Sequence, residues 1–434
     1  MTLLSFNLGS INLGVILNLF QICVYNFYKV GLIKVNRFFK SFGPGLLVAA
    51  TGVGAGDLAT SALAGAEIGV VAIWAVIFGG VIKYWLNLGL VRWQIDTGTT
   101  LIEGAMHYYG RVAQYAFLVY LMLWGFLVAV ALMSASGIAL HAILPIFEDA
   151  GRAKIVFGIV LSLVGVVMVR YGGYQQFEKI MSIAVLLMVI TVTYTFFGLD
   201  SSTSTQMSDL MVLPRAEDWA WFIAVLGGVG GTVTVLCYGY WIKEHQRSGE
   251  SGMKTSRIDL GVSYSITVLL GVGMVVIGSN IRVTGGGAGL LVNLSKLLEE
   301  ESGEIAGWVF KIGAFAAIFS SLLGVWQSVP YLFANLVNQI KTKENPSVID
   351  TGSNVYRRSL YALSIVPMLG VPIGFARMQQ LYALCGALFI PLLAVTLIIL
   401  GLSGYVGHKP RKVAIVLNGF ILLFSLYLVV KLAF

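Results

Sequence analysis

Long apolar stretches separated by short polar segments fill the chain from residue 44 to its end. A bilayer core about 30 Å thick is crossed by about 20 apolar residues in a helix. Such stretches predict eleven transmembrane helices, at residues 44–68, 70–91, 113–143, 154–170, 178–199, 219–242, 258–281, 306–340, 357–375, 379–403 and 412–433. An earlier apolar run at 11–28 lies in an N-terminal tail, residues 1–41. We interpret it as an interfacial or poorly ordered helix, with an extra span or a targeting segment as alternatives.

The composition is typical of a polytopic α-helical membrane protein. Hydrophobic residues make up 58% of the 434 residues and charged residues 11%, whereas soluble chains carry about 25% charged residues. These values exclude a soluble enzyme and a disordered chain, and the strands of a β-barrel would alternate polar and apolar positions. Most of the 28 Lys and Arg residues fall in alternate loops, which explains the net charge of +8 without nucleic acid. This bias predicts a cytoplasmic N-terminus. We expect the protein to lie in a bacterial inner membrane.

Two predicted spans carry runs of glycine at matching places. The first span holds Gly52, Gly54 and Gly56 just before Asp57, and the sixth holds four glycines within residues 227–231. Each glycine destabilises a helix by about 1 kcal/mol relative to alanine, so we predict an unwound turn in both spans. Interruptions at corresponding places in two inverted repeats indicate a transporter binding site. The alternative is close helix packing through small residues.

Several segments of the chain are similar to one family of membrane proteins. They are Gly43 to Ala50, Ala59-Thr60, and residues 89–101, 171–179 and 389–393. The first of these resembles the opening of helix one in the Nramp divalent-metal transporters, and the similarity extends diffusely over all eleven spans. It implies an all-α LeuT-type fold, with inverted five-helix repeats at 42–200 and 201–403 and an eleventh transmembrane helix in 404–434. It also implies a secondary carrier that moves a divalent cation by alternating access.

The chain departs from the family at the residues that carry its chemistry. The family's Asp-Pro-Gly-Asn motif aligns with residues 54–57, so Gly54 replaces the metal-binding aspartate and Asp57 the asparagine. The Met-Pro-His-Asn motif aligns with residues 234–237, so the thioether that favours soft metals is missing. The acidic pair of helix three, used for proton transfer, aligns with Ala131 and Ser134. The resemblance therefore implies metal transport without the family's usual proton route.

Asp57 is the only carboxylate within either glycine run, and a carboxylate at membrane depth is a candidate functional residue. Hydroxyl, carbonyl and carboxylate oxygens suit hard cations such as Mg²⁺ or Mn²⁺. We predict a site for the transported cation that is formed by Asp57, Gly54, Thr51, Thr232 and Thr234, with the thiol of Cys237 as a further candidate. The alternative is that Asp57 only caps a half-helix that begins near Leu58.

Other polar residues extend this candidate site. Gln379 and Gln380 begin the tenth span, where the family resemblance implies an amide oxygen at the site. Glu67, farther along the first span, either attracts cations or is simply solvated. Lys83 lies near the middle of the second span, and an intramembrane lysine pairs with an acid or snorkels. A pair with Asp57 or Glu67 is one interpretation, and replacement of a co-transported ion by the lysine charge is the other.

The sequence contains no Walker loop, no closely spaced His or Cys metal motif, and no Ser-His-Asp set at one membrane face. We therefore expect a carrier that is not an enzyme and has no cofactor. Its expected partners are the lipid bilayer and a divalent cation as substrate, with Mg²⁺ or Mn²⁺ favoured. Two alternatives stay open: a LeuT-fold carrier of a small organic or anionic solute, and a sensor or scaffold that no longer transports.

Overall fold

The computed structural model describes residues 36–198, 214–280, 287–342, 350–404 and 412–433. Residues 43–434 form one compact unit, and the site described below lies within it. The apolar run at 11–28 falls outside the described residues, so the interfacial helix stays a prediction.

Helices make up nearly all of the described chain. The first predicted span consists of α1 (Asn36–Gly52), a π-helix (Val53–Thr60) and α2 (Ser61–Ile68). The sixth consists of α6 (Trp219–Gly228), a 3₁₀ turn (Val233–Cys237) and α7 (Tyr238–Glu244). The other helices are α3 (Ala72–Thr97), α4 (Leu101–Ile143), α5 (Ala150–Gly198), α8 (Gly249–Gly278), α9 (Leu290–Ser302), α10 (Glu304–Thr342), α11 (Asn354–Ile365), α12 (Phe375–Ala387), α13 (Phe389–Leu402) and α14 (Lys412–Ala433).

The helices differ from the predicted spans at two places. The loop expected between the fourth and fifth spans is helical, because α5 runs through it without a break; the segment contains no proline to interrupt the hydrogen bonds of the helix. The amphipathic helix α9 was not predicted, because its charged residues place it below the hydropathy of a span. Among the described residues, eight helical stretches are long and apolar enough to cross a bilayer.

The first glycine run is not unwound. Residues 53–60 form a π-helix that continues directly from α1 and into α2. The glycines face neighbouring backbone: a Cβ at Gly54 would lie 2.6 Å from the Cα of Ile318, and one at Gly56 would overlap the carbonyl oxygen of Gly228. The prediction of an unwound turn is therefore wrong for this span, and close packing through small residues describes it instead.

A side chain from a distant helix widens this turn. The hydroxyl of Ser321 on α10 accepts a hydrogen bond from the N–H of Gly54 at 2.8 Å and donates one to the carbonyl of Ala50 at 2.5 Å. In an α-helix the N–H of residue 54 would bond to the carbonyl of residue 50 directly. Ser321 takes the place of that bond, and such an insertion is one of the recognised causes of local helix distortion.

The second glycine run is a true interruption. Helix α6 ends at Gly228, and Gly230 and Gly231 adopt φ angles of +68° and +77°. Side chains with a Cβ rarely adopt this left-handed conformation, which explains glycine at both positions. The predicted break in the sixth span is confirmed, and it leaves carbonyl groups at the end of α6 without helical donors.

A buried polar cluster ties four segments together at the end of the fold that we predict to be cytoplasmic. One oxygen of Asp259 on α8, Oδ2, accepts hydrogen bonds from Arg247 at 2.7 Å, the hydroxyl of Tyr238 at 3.0 Å and the N–H of Gly45 at 2.9 Å. Arg247 and Asp259 are 6% and 1% exposed. The cluster joins the start of the first span to the end of the sixth and the start of the seventh.

Candidate functional site

Asp57 lies inside the π-helix and reaches the second interruption. Its Oδ1 accepts a hydrogen bond from the N–H of Gly230 at 2.9 Å, and the side chain is fully buried. Its Oδ2 has no hydrogen-bond partner among the residues that the structure describes. Because the backbone is helical on both sides of Asp57, the interpretation of this residue as a half-helix cap is wrong. The carboxylate instead joins the two glycine runs and offers one oxygen to a further ligand.

Lys83 on α3 reaches the same turn. Its Nζ donates hydrogen bonds to the carbonyls of Gly227 and Gly231, each at 2.6 Å, and to the carbonyl of Val229. An ammonium group has three donors, so these three carbonyls use all of them. The ion pair with Glu67 is wrong, since Glu67 is exposed at the end of α2. Lys83 therefore binds the carbonyls of this turn, and Asp57 binds the N–H of Gly230 in the same turn.

The predicted hydroxyl ligands divide into two groups. Thr234 donates to the hydroxyl of Thr51 at 3.4 Å, and Thr51 donates to the carbonyl of Val48 at 2.8 Å. This places two of the predicted ligands at the contact between the first and sixth spans. Thr232 instead faces Gly386 of α12, where an added Cβ would lie 2.6 Å from the Thr232 methyl group.

Cys237 and the two glutamines also occupy different places. The thiol of Cys237 lies 3.6 Å from the carbonyl of Ser328 on α10, which indicates packing between helices rather than a metal ligand. Gln379 is fully buried and donates to the hydroxyl of Thr60 at 3.0 Å, at the end of the π-helix. Gln380 is half-buried. Gln379 therefore approaches the predicted site from the tenth span.

Ser321 belongs to this site and was missed from the sequence. It contacts Ala50 and Gly54, three residues before Asp57, and is fully buried. Serine is common in membrane helices, where it bonds to carbonyls of its own helix. The sequence therefore carries no signal that distinguishes Ser321 from Ser320, whose hydroxyl donates to Ala317 within α10.

The two glycine runs touch each other closely in this conformation. A Cβ at Gly52 would overlap the N–H nitrogen of Gly231, and one at Gly56 would overlap Gly228. Beside this contact lies a cavity of about 10 Å³, the space of about one water molecule. It is lined by Lys83, Leu86, Thr232, Val235, Gly386, Phe389, Ile390 and Leu393. The first and sixth spans are thus in direct backbone contact at the candidate site.

The donor set differs from a preformed metal centre. No group of three or more His, Cys, Asp or Glu side chains is gathered in the part of the chain that the structure describes. Ala131 and Ser134, which align with the acidic pair of the resembled family, are both fully buried on α4. Asp57 as the carboxylate of a cation site stays a prediction.

Comparison with known proteins assigns the chain to a family. The sequence profile for natural resistance-associated macrophage protein-like (Nramp) proteins matches residues 45–434. The chain belongs to the Nramp family. The divalent metal cation transporter MntH of Staphylococcus saprophyticus is 23% identical over 254 residues, which cover 56% of each protein. The corresponding protein of Staphylococcus aureus is 24% identical over 260 residues, again 56% of each protein. The chain thus spans little more than half the length of these relatives.

Solved structures confirm the fold expected of an Nramp protein. The Eremococcus coleocola manganese transporter, in complex with an aromatic bis-isothiourea compound, superimposes with a TM-score of 0.64 at 14% identity, over 92% of this chain and 87% of that one. MhsT in complex with L-phenylalanine superimposes with a TM-score of 0.59 at 13% identity, over 90% and 98%. The predicted LeuT-type fold is therefore confirmed. The repeat boundaries at 42–200 and 201–403 and the orientation in the membrane stay predictions.

Proposed function

We propose that this Nramp-family chain is a secondary transporter that carries a divalent cation by alternating access. The observation that carries the proposal is the second oxygen of Asp57, which is buried without a hydrogen-bond partner among the described residues. An unsatisfied buried carboxylate oxygen is costly, and a bound cation would satisfy it. The family's divalent-metal relatives support the same substrate class.

The atoms around Asp57 favour a hard cation. The other oxygen groups at the contact of the two glycine runs are the hydroxyls of Thr51 and Thr234, which lie near Gly231, and the carbonyls of the second interruption. Oxygen ligands suit Mg²⁺ and Mn²⁺, and Mg²⁺ is often held by one or two carboxylates while it keeps several waters. We therefore propose Mg²⁺ or Mn²⁺ as the substrate.

Proton transfer by the family's third-helix acids is not part of this proposal. Ala131 has no titratable group, and the hydroxyl of Ser134 does not ionise near neutral pH. Both positions are fully buried on α4. We therefore propose metal flux without stoichiometric proton flux.

The decisive test substitutes the central carboxylate. Asp57→Asn keeps an oxygen that accepts from Gly230 but removes the charge. In proteoliposomes we expect Mn²⁺ uptake to fall by about tenfold or more, the equivalent of 1.4 kcal/mol of lost binding. Asp218→Asn is the matched control, because Asp218 is also buried but bonds to Arg215 outside the two glycine runs. Full uptake by Asp57→Asn would remove the proposed site.

One observation favours a second candidate, a small organic or anionic solute. The ammonium group of Lys83 already donates hydrogen bonds to carbonyls at the second interruption. A double positive charge placed beside the ammonium would be repelled by it, and the repulsion is strong in a site shielded from water. A carrier whose substrate is not a metal avoids this repulsion. Absence of metal-dependent flux in the wild type, with solute uptake instead, would favour this candidate, and absence of all transport would favour a sensor.

A further inference from the structure

The environment of the Lys83 ammonium resembles a binding site for a monovalent cation. Its Nζ lies 2.6 Å from the carbonyl oxygens of Gly227 and Gly231 and also bonds to that of Val229. Gly227 lies in the last turn of α6, where a helix carries partial negative charge, and Val229 and Gly231 lie in the interruption that follows. In transporters with discontinuous helices, unwound carbonyls and such helix ends coordinate the transported ions. The ammonium group of Lys83, a part of the protein itself, therefore takes the position that a bound cation takes in such a site.

The lysine and a substrate cation compete for the same place. Gly230, whose N–H bonds to Asp57, lies between two of the carbonyls that Lys83 holds. A cation bound to the second oxygen of Asp57 and to the carbonyls of this turn would meet the ammonium group directly. Like charges in a site of low dielectric repel strongly, so binding of the cation requires Lys83 to leave the carbonyls.

When no substrate cation is bound, the polar groups of this turn require another partner. Without a cation, Asp57 would be an uncompensated buried charge, and the carbonyls of Gly227, Val229 and Gly231 would lack the donor that Lys83 supplies. Buried groups of both kinds oppose a closed conformation. With Lys83 in place the three carbonyls have a donor, and the two glycine runs are in direct backbone contact.

We propose that Lys83 is a tethered cation that replaces the substrate ion in the empty carrier and so permits its return across the membrane. This inference rests on the proposed function, since it assumes that the substrate is a cation. Removal of the lysine charge should strengthen cation binding and hinder return of the empty form. Exchange of metal for metal does not require the empty form to return, whereas net uptake does.

The experiment compares these two fluxes in proteoliposomes with Mn²⁺ as the probe. For Lys83→Met we expect a Kd for Mn²⁺ that is lower by about tenfold or more, preserved Mn²⁺–Mn²⁺ exchange, and net uptake reduced by about tenfold relative to exchange. Lys83→Arg keeps a cation and should keep the wild-type ratio of the two fluxes. Lys154→Met is the matched control, because the Nζ of Lys154 also bonds to a carbonyl, that of Ile373, but at a distance in the chain from both glycine runs.

The experiment distinguishes failure of the proposed function from failure of the tethered-cation proposal. If wild-type vesicles show neither exchange nor net uptake of Mn²⁺, the proposed function is wrong, and the tethered cation with it. If the wild type shows both fluxes and Lys83→Met leaves their ratio unchanged, the tethered cation is overturned and the proposed function stands. If Lys83→Met does not fold, Lys83→Gln replaces it, because its amide donates two hydrogen bonds without a charge. The same change in ratio is then expected, and an unchanged ratio overturns the proposal.

Discussion

Replacement of Ser321 by alanine should weaken the fold at the π-helix. The hydroxyl makes two buried hydrogen bonds, to the N–H of Gly54 and the carbonyl of Ala50. Hydrogen bonds between membrane helices contribute about 0.6 kcal/mol on average and at most about 1.7 kcal/mol. Loss of both bonds should therefore lower the free energy of unfolding by about 1–3 kcal/mol.

The same substitution should also move the candidate site. Without the hydroxyl, the N–H of Gly54 can bond directly to Ala50 and convert the wide turn to an α-helical one. Each residue of an α-helix turns the side-chain direction by about 100°, so Asp57 would turn away from Gly230. We therefore expect weaker Mn²⁺ binding together with the loss of stability.

Equilibrium unfolding in mixed micelles and calorimetric titration with Mn²⁺ measure the two effects. Ser320→Ala is the control, since the hydroxyl of Ser320 bonds only within its own helix, and we expect a change within about 0.5 kcal/mol. If Ser321→Ala is as stable as Ser320→Ala and binds Mn²⁺ as the wild type does, the inserted hydroxyl does not hold the turn.

Four further outcomes are expected. A pH-sensitive dye inside proteoliposomes should report no acidification in step with Mn²⁺ uptake, and acidification that requires the metal would refute this. Millimolar Mg²⁺ and Ca²⁺ should reduce Mn²⁺ uptake, because oxygen ligands discriminate weakly among hard cations; unchanged uptake would contradict a hard-ion site. Gly56→Ala should lower the melting temperature strongly through its overlap with Gly228, whereas Gly419→Ala, in open space, should not. Asp259→Asn should cost about 3 kcal/mol of stability by breaking the buried pair with Arg247, and a loss below about 0.5 kcal/mol in denaturant titrations would count against the cluster.

Features that depend on local chemistry were predictable from the sequence. Most helices were predictable from the lengths of the apolar stretches, because the thickness of the bilayer sets the length of a transmembrane helix. The interruption after Gly228 was predictable because Gly230 and Gly231 tolerate positive φ. Asp57 was identified as the candidate residue because a carboxylate is rare at membrane depth.

Features that depend on distant residues were not predictable. The state of the first glycine run depends on Ser321, which lies 267 residues after Gly54 in the chain. The acceptors of Lys83 are carbonyls, which every residue possesses, so no side chain in the sequence indicates them. The same holds for Asp57, whose partner is the N–H of Gly230.

The cluster around Asp259 has a kinetic consequence. Three donors from three segments converge on the same oxygen, Oδ2, so a movement of this carboxylate by about one bond length disrupts all of them together. Separation of the segments at this end cannot proceed as a series of small, independent losses. We therefore expect a single activation step there, with one steep temperature dependence, and few partly opened intermediates.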